Sequence, residues 1–215
     1  NPEKVLIIAN KLDTAVEFAN KVRGFTEQWP QWVGVGFSPD KNAARHFKLT
    51  NGCEVKAVAT SKDALRGFTP TILIFDEAAF IDSIDEIWVA AQSTLSTGGS
   101  CIALSTPNGV GNWFHKTWLD AEEGTNPFNT IRLHWTVHPE RDQSWRDEQE
   151  KLLGQKKAAQ ECDCDFVSSG DTVIDPELLM FYKETYCQDP IEKTGFDGNL
   201  WRWEYPLVNN SYMVI

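Results

Sequence analysis

The sequence predicts an α/β protein built on an open, mostly parallel sheet with helices on both faces, and three observations carry that reading. The runs KVLIIA, TILIF and CIALS are short, apolar and free of polar alternation, the pattern of strands buried on both sides. Between them lie segments whose apolar residues recur at helical spacing. Strand and helix alternate along the chain, which calls for βαβ crossovers and parallel pairing. In such sheets ligands sit at the carboxyl ends of the strands.

Residues 4–9 form the first strand. Asp13 or Thr14 offers an N-cap to a helix with Ala15, Phe18, Ala19, Val22 and Phe25 on one face, ended by Trp29-Pro30. A stretch rich in Gly and aromatics, 33–40, follows without a regular period. Residues 46–50 and 53–60 flank Asn51-Gly52, where both central positions tolerate positive φ, so they predict a β-hairpin inserted locally into the alternation. Residues 71–75 make a second buried strand that runs into Asp76-Glu77. A helix over 84–95 gathers Ile84, Ile87, Trp88, Ala91 and Leu95 on one face and closes at Gly98-Gly99. Residues 101–105 are a third strand, an aromatic-bearing helix spans about 111–123, and 131–137 is expected as a fourth strand. Charged helices are expected at 144–153 and 156–162. From 168 on, Gly, Pro and Asp punctuate the chain every few residues, and the segment reads as a linker with short ordered pieces. No repeat of fixed period is visible.

A chain of 215 residues accommodates one domain, or one domain and the start of another. It begins at Asn1 without a Met and stops inside the apolar run 212–215, so both ends are expected to be cut. With 20 basic against 31 acidic residues, net −11, a polybasic binder of nucleic acid or membrane surfaces is excluded as the main identity of the segment. Cys53, Cys101, Cys162, Cys164 and Cys187 match neither paired CxxC zinc sites nor a secreted disulfide framework, and read as reduced thiols of a cytosolic protein. No apolar run reaches the ~20 residues a membrane span needs, and the chain is expected to be soluble.

Three features carry chemistry. ILIFDEAAF delivers two adjacent carboxylates, Asp76 and Glu77, to a strand end. There the first can hold Mg²⁺ through water and the second can orient an attacking water. The alternative is an acidic first turn of a helix, favoured by its dipole. ALSTPNG releases the Ser105 and Thr106 hydroxyls, then Pro107, at the end of the next strand, where they can sense a phosphate; a plain turn uses the same residues. Arg66-Gly67, ten residues before Asp76, places an arginine in a turn where it can reach a phosphate or simply be solvated. His134 and His138, on a strand-like stretch, do not converge on a metal. Cys162 and Cys164 flank Asp163 and are read as packing or exposed thiols. Trp88, Trp113 and Trp118 are read as core, and Trp201 and Trp203 as linker residues available to a further domain.

The order of these elements resembles the ATPase domain of the large terminase subunit of tailed bacteriophages, over nearly the whole chain. The resemblance implies a partial RecA-like, P-loop ATPase domain at 1–167. It also implies a linker with the first strand of a truncated RNase H-like nuclease domain at 168–215. It makes Asp76 the Walker B acid on the metal and Glu77 the catalytic glutamate. Ser105, Thr106 and Pro107 become the coupling motif, and Arg66 a residue acting on a neighbouring subunit's nucleotide. The cofactors implied are ATP and Mg²⁺. The implied partners are double-stranded DNA, a portal protein, a small terminase subunit and other copies in a ring on the prohead, with no membrane, in the host cytoplasm.

Two departures qualify the resemblance. No GxxxxGK followed by Ser or Thr occurs, so no phosphate loop is present in these residues, and in the family it lies upstream of the strand at 4–9. The nuclease acids are also absent. The fragment by itself is therefore expected to be inactive and to bind DNA weakly. A superfamily 2 helicase fragment and a non-catalytic interaction domain with a degenerate ATPase fold stand as alternatives.

Overall fold

A computed structural model describes residues 2–61, 64–65, 67–96, 98–166, 178, 181–182, 185–195 and 200–205. The chain divides into two compact units, Asn1–Asp171 and Thr172–Ile215.

The first unit holds a six-stranded sheet in the order β2-β3-β4-β1-β5-β6. Its strands are β1 (Lys4–Ala9), β2 (Phe37–Ala43), β3 (His46–Leu49), β4 (Glu54–Ala59), β5 (Ile72–Asp76) and β6 (Ser100–Leu104). β4, β1, β5 and β6 run parallel, while β3 pairs antiparallel with β4 and β2 antiparallel with β3. The register sets Ala59, Ala9, Asp76 and Leu104 side by side at the carboxyl edge. Whatever follows each strand therefore emerges on one rim.

Alternation across the pleat explains the two cores. Leu6, Ile8, Leu73 and Phe75 face one side and pack with α2 (Ile84–Leu95) and α3 (Trp113–Glu122), where Ile84, Ile87, Ala91, Trp113 and Phe114 are buried. Ile7, Ala9, Val55, Ala57, Phe47 and Leu49 face the other side, against Ala15 and Ala19 of α1 (Leu12–Glu27). Trp88 and Trp118 pack against the first cluster, as their spacing foretold.

Several sequence expectations need correction. α1 starts at Leu12 behind Lys11, with no side-chain cap, and Asp13 sits in its first turn, where its charge favours the dipole. Phe25 is 69% exposed, and the buried residue of that turn is Thr26, whose hydroxyl donates to the Val22 carbonyl. The hairpin around Asn51-Gly52 exists, with Gly52 at φ 92°, yet it is no side insertion, since β4 pairs directly with β1 near the sheet centre. β2 was not foreseen: FSPDKNA is polar and carries Pro39, which suits an edge strand whose outer backbone groups need no partner. The expected strand at 131–137 is absent. Ile131 and Leu133 alternate as strand residues do, but they are exposed and belong to no sheet, and Trp135–Val137 is a single 3-10 turn. Alternation alone cannot make a strand without a neighbouring edge to pair with.

α4 (Gln143–Leu153) and α5 (Gln155–Glu161) match the charged helices expected there. In the second unit β7 (Glu192–Thr194) and β8 (Leu200–Arg202) form an antiparallel pair, and Trp201 and Trp203 are about half exposed. The segment 201–215, expected as the entry to a nuclease domain, begins in β8, and its residues 206–215 lie outside the described residues. No helix among the described residues is long and apolar enough to cross a membrane.

Candidate active site

The apolar run of β5 ends because Asp76 reaches the rim, and there the backbone turns sharply. Glu77 adopts φ 54°, ψ 46°, left-handed backbone that is rare for a residue with a Cβ. A 3-10 turn, Ala78–Phe80, follows and is closed by the Phe80 N–H donating to the Glu77 carbonyl at 2.9 Å. Ala78 and Ala79, within this turn, are buried in the core that packs on one face of the sheet. Strain at a polar rim, held by a packed turn, is the kind of outlier that points to function.

The next strand delivers its hydroxyl to the same place. Ser105 Oγ accepts from the Ala79 N–H at 3.1 Å and its hydroxyl faces Glu77 Oε2 at 3.5 Å. Asn108 Nδ2 donates to the Ala79 carbonyl at 3.2 Å. Pro107, between them in sequence, is buried. Asn112 caps α3 through the His115 N–H at 2.9 Å, and its Nδ2 donates to the Asn108 carbonyl at 2.9 Å and to that of Gly109 at 3.3 Å.

Both carboxyls titrate above their ordinary values. Burial is the main cause for Glu77, the nearby Asp76 and Glu161 charges add to it, and the Ser105 hydroxyl and Thr106 N–H oppose it. Burial also raises Asp76, against a hydrogen bond from the Glu77 backbone and the charge of Lys21 on α1. A carboxylate held toward neutrality at a solvent-facing rim is suited to accept a proton.

The structure thus brings Asp76, Glu77, Ser105, Thr106 and Pro107 together at one rim. Arg66 lies outside the described residues; its neighbour Gly67 sits at φ 74°. Sequence reasoning missed Asn108 and Asn112 as posts of the loop, because Asn and Gly there spelled a turn. It also missed Glu161, whose nearness to Glu77 is set by how α5 packs. His134 hydrogen-bonds Thr136 and approaches Asp163 at 3.9 Å, and Cys164 Sγ contacts the Leu133 carbonyl, so these residues serve local structure. Burial pushes the Cys101 thiol on β6 up to about 12, which makes it a packing group.

A bound Mg²⁺–nucleotide can be tested against these groups. Asp76, Glu77 and the 105–106 hydroxyls are hard oxygen donors at one edge, which fits a magnesium ion that keeps most of its waters. The β-phosphate finds no counterpart, since no Gly-rich loop with a Lys exists in the 215 residues.

Comparison with known proteins gives a consistent result. The profile of the terminase large subunit, T4likevirus-type, N-terminal, matches residues 1–181. The terminase large subunit of Thermus virus P23-45 is 31% identical over 184 residues, covering 68% of this chain and 37% of that protein. The probable terminase large subunit gp28 of Escherichia phage Mu is 29% identical over 131 residues, 52% of this chain and 23% of that protein. The chain thus spans well under half the length of either relative. Among solved structures, the large terminase ATPase domain of Thermus phage P74-26 superposes with a TM-score of 0.58 at 25% identity, covering 77% of each chain. The large terminase of another thermophilic bacteriophage, solved in complex with ADP, reaches 0.59 at 13% identity over 77% of this chain and 41% of that one, a likeness of fold.

Proposed function

The chain belongs to the terminase large-subunit family and has the RecA-like fold of its ATPase domains. From this premise we propose that it supplies the hydrolytic edge of that motor, coupling Mg²⁺–ATP hydrolysis to translocation of double-stranded DNA. The observation that carries the reading is the left-handed Glu77 beside Asp76, fastened to Ser105 at the start of the loop that follows β6.

In this reading Asp76 would hold the metal, and Glu77 would accept a proton from the attacking water. The chemistry a bound magnesium ion would supply is neutralisation of charge on the phosphates. Ser105 and Thr106 register the state of the terminal phosphate and pass it to the loop before α3. Arg66 is assigned to a neighbouring subunit's nucleotide.

The phosphate loop is assigned to residues preceding Asn1. Its strand would lie along the edge of β6, where Ile102 is 49% and Leu104 37% exposed. Residues 1–167 are read as ATPase and 168–215 as the linker and entry to a nuclease domain. Portal protein, small terminase subunit, other copies in a ring and the host cytoplasm complete the proposal. The isolated 215 residues are expected not to turn over ATP.

The test is Glu77→Gln in the full reading frame that contains these residues. ATP hydrolysis should fall by ~10²-fold or more while nucleotide binding persists. Hydrolysis at the parental rate would overturn the assignment.

A further inference from the structure

We propose that Asn108 is a positioning residue for the Glu77 carboxylate, acting through the peptide groups of Ala79. The proposal rests on the hydrolytic reading above.

Glu77 cannot hold its carboxylate in place by its own preference, because left-handed backbone is disfavoured for a residue with a Cβ. The conformation persists where the surroundings over-determine it. Ala79, two residues on, is gripped at both of its polar groups: its N–H donates to Ser105 Oγ at 3.1 Å, and its carbonyl accepts from Asn108 Nδ2 at 3.2 Å. The bond from Phe80 N–H to the Glu77 carbonyl and the burial of Ala78 and Ala79 hold the turn together, and Ser105 ties one side of it to the loop after β6. The second attachment fixes its orientation, and with it the direction in which Glu77 points.

Asn108 is itself braced. Its carbonyl accepts from Asn112 Nδ2 at 2.9 Å, and Asn112 is held as the cap of α3. The Gly111 N–H donates to His115 Nδ1 at 3.1 Å and ties the same loop to the helix. A continuous path of hydrogen bonds thus runs from the catalytic turn through Asn108 and Asn112 to the start of α3. Asn108 is solvent-exposed, so its side chain can be changed without opening the core.

Displacing a reacting group by ~1 Å costs up to ~10²-fold in rate, and that is the effect expected here. The experiment uses the full reading frame and two variants: Asn108→Ala, and Asn108→Asp, which keeps the size and removes the donor. Both should lower kcat for ATP roughly 10- to 100-fold, with KM and the melting temperature near parental values. In a Glu77→Gln background, single-turnover hydrolysis should show no further loss from Asn108→Ala, because there is no longer a base to orient. A parental kcat in both variants, a loss carried by KM, or an equal further loss beside Glu77→Gln would each overturn the proposal. If Asn108→Ala melts early, Asn108→Asp decides by the same criteria. Should Glu77→Gln itself leave hydrolysis intact, the hydrolytic reading falls and Asn108 with it. Should Glu77→Gln abolish hydrolysis while both Asn108 variants stay at parental rate, the role of Asn108 alone falls.

Discussion

Glu77 is the residue at which the proposed chemistry would act against the stability of this fold. Burial first, then the charges of Asp76 and Glu161, hold its pKa above the ordinary 4.5. The folded chain therefore keeps that proton to higher pH than the unfolded chain does. Stability declines as pH rises from the ordinary glutamate value through the raised one, and above both values the full penalty is present. Glu77→Gln removes the charge and should melt at a higher temperature than the parent at pH 7, with the difference shrinking toward zero below pH ~4. Thermal unfolding at the two pH values checks this, and equal midpoints at pH 7 would contradict it. The acid pair was legible because four apolar residues run straight into Asp76 and Glu77. The left-handed backbone was not legible, since no Gly marks the turn and the strain is imposed by Ser105 and Asn108 from another strand's loop.

At the level of elements, the least legible feature is the anchor of α4 and α5. Arg146 is buried to 8% exposure and reaches Asp163 with two nitrogens, Nε to Oδ1 at 2.7 Å and Nη2 to Oδ2 at 2.6 Å. Its third contact is Glu150 Oε2, at 3.0 Å. An arginine in a charged helix reads as solvated until tertiary structure supplies a carboxylate, so periodicity could not reveal it. The paired guanidinium, mainly by hydrogen bonding, holds Asp163 below its ordinary 3.8. This contribution is complete at neutral pH and is lost as pH falls from about 4 through the depressed value. Arg146→Ala should cost about 2 kcal/mol of stability at pH 7, seen as a lower urea midpoint. The difference should narrow as Asp163 protonates, and an unchanged midpoint at pH 7 would show the anchor to be superfluous. The same region held the plainest misreading, residues 131–137. Their alternation is real, and what they lack among the described residues is a strand to pair with. Buried parallel strands, by contrast, announce themselves: KVLIIA and TILIFD need apolar side chains on both faces wherever the rest of the sheet lies.

Across the whole chain the charge balance sets how tightly this segment by itself can bind the double-stranded DNA of the proposed function. Net charge is −11, and many of the cations among the described residues are already engaged. Lys41, Arg146, Lys157 and Arg202 sit in ion pairs, and Arg23, Lys56, Arg132, Arg141 and Lys193 lie over aromatic rings. Binding to a duplex gains most of its free energy from counterions released by cations that neutralise phosphates. Engaged cations serve that purpose poorly, and the surplus acids repel the duplex. The 215-residue chain should therefore bind double-stranded DNA with a dissociation constant no tighter than ~10⁻⁴ M at physiological salt and with a shallow salt slope. Fluorescence anisotropy across a salt series measures both. In the proposed motor, contacts to DNA are therefore expected mainly on residues beyond this segment or on the assembled ring, where many weak contacts act at once and effective concentration supplies what single-site affinity lacks. Tight, steeply salt-dependent binding by the isolated chain would place the grip within these residues and remove the need for that arrangement.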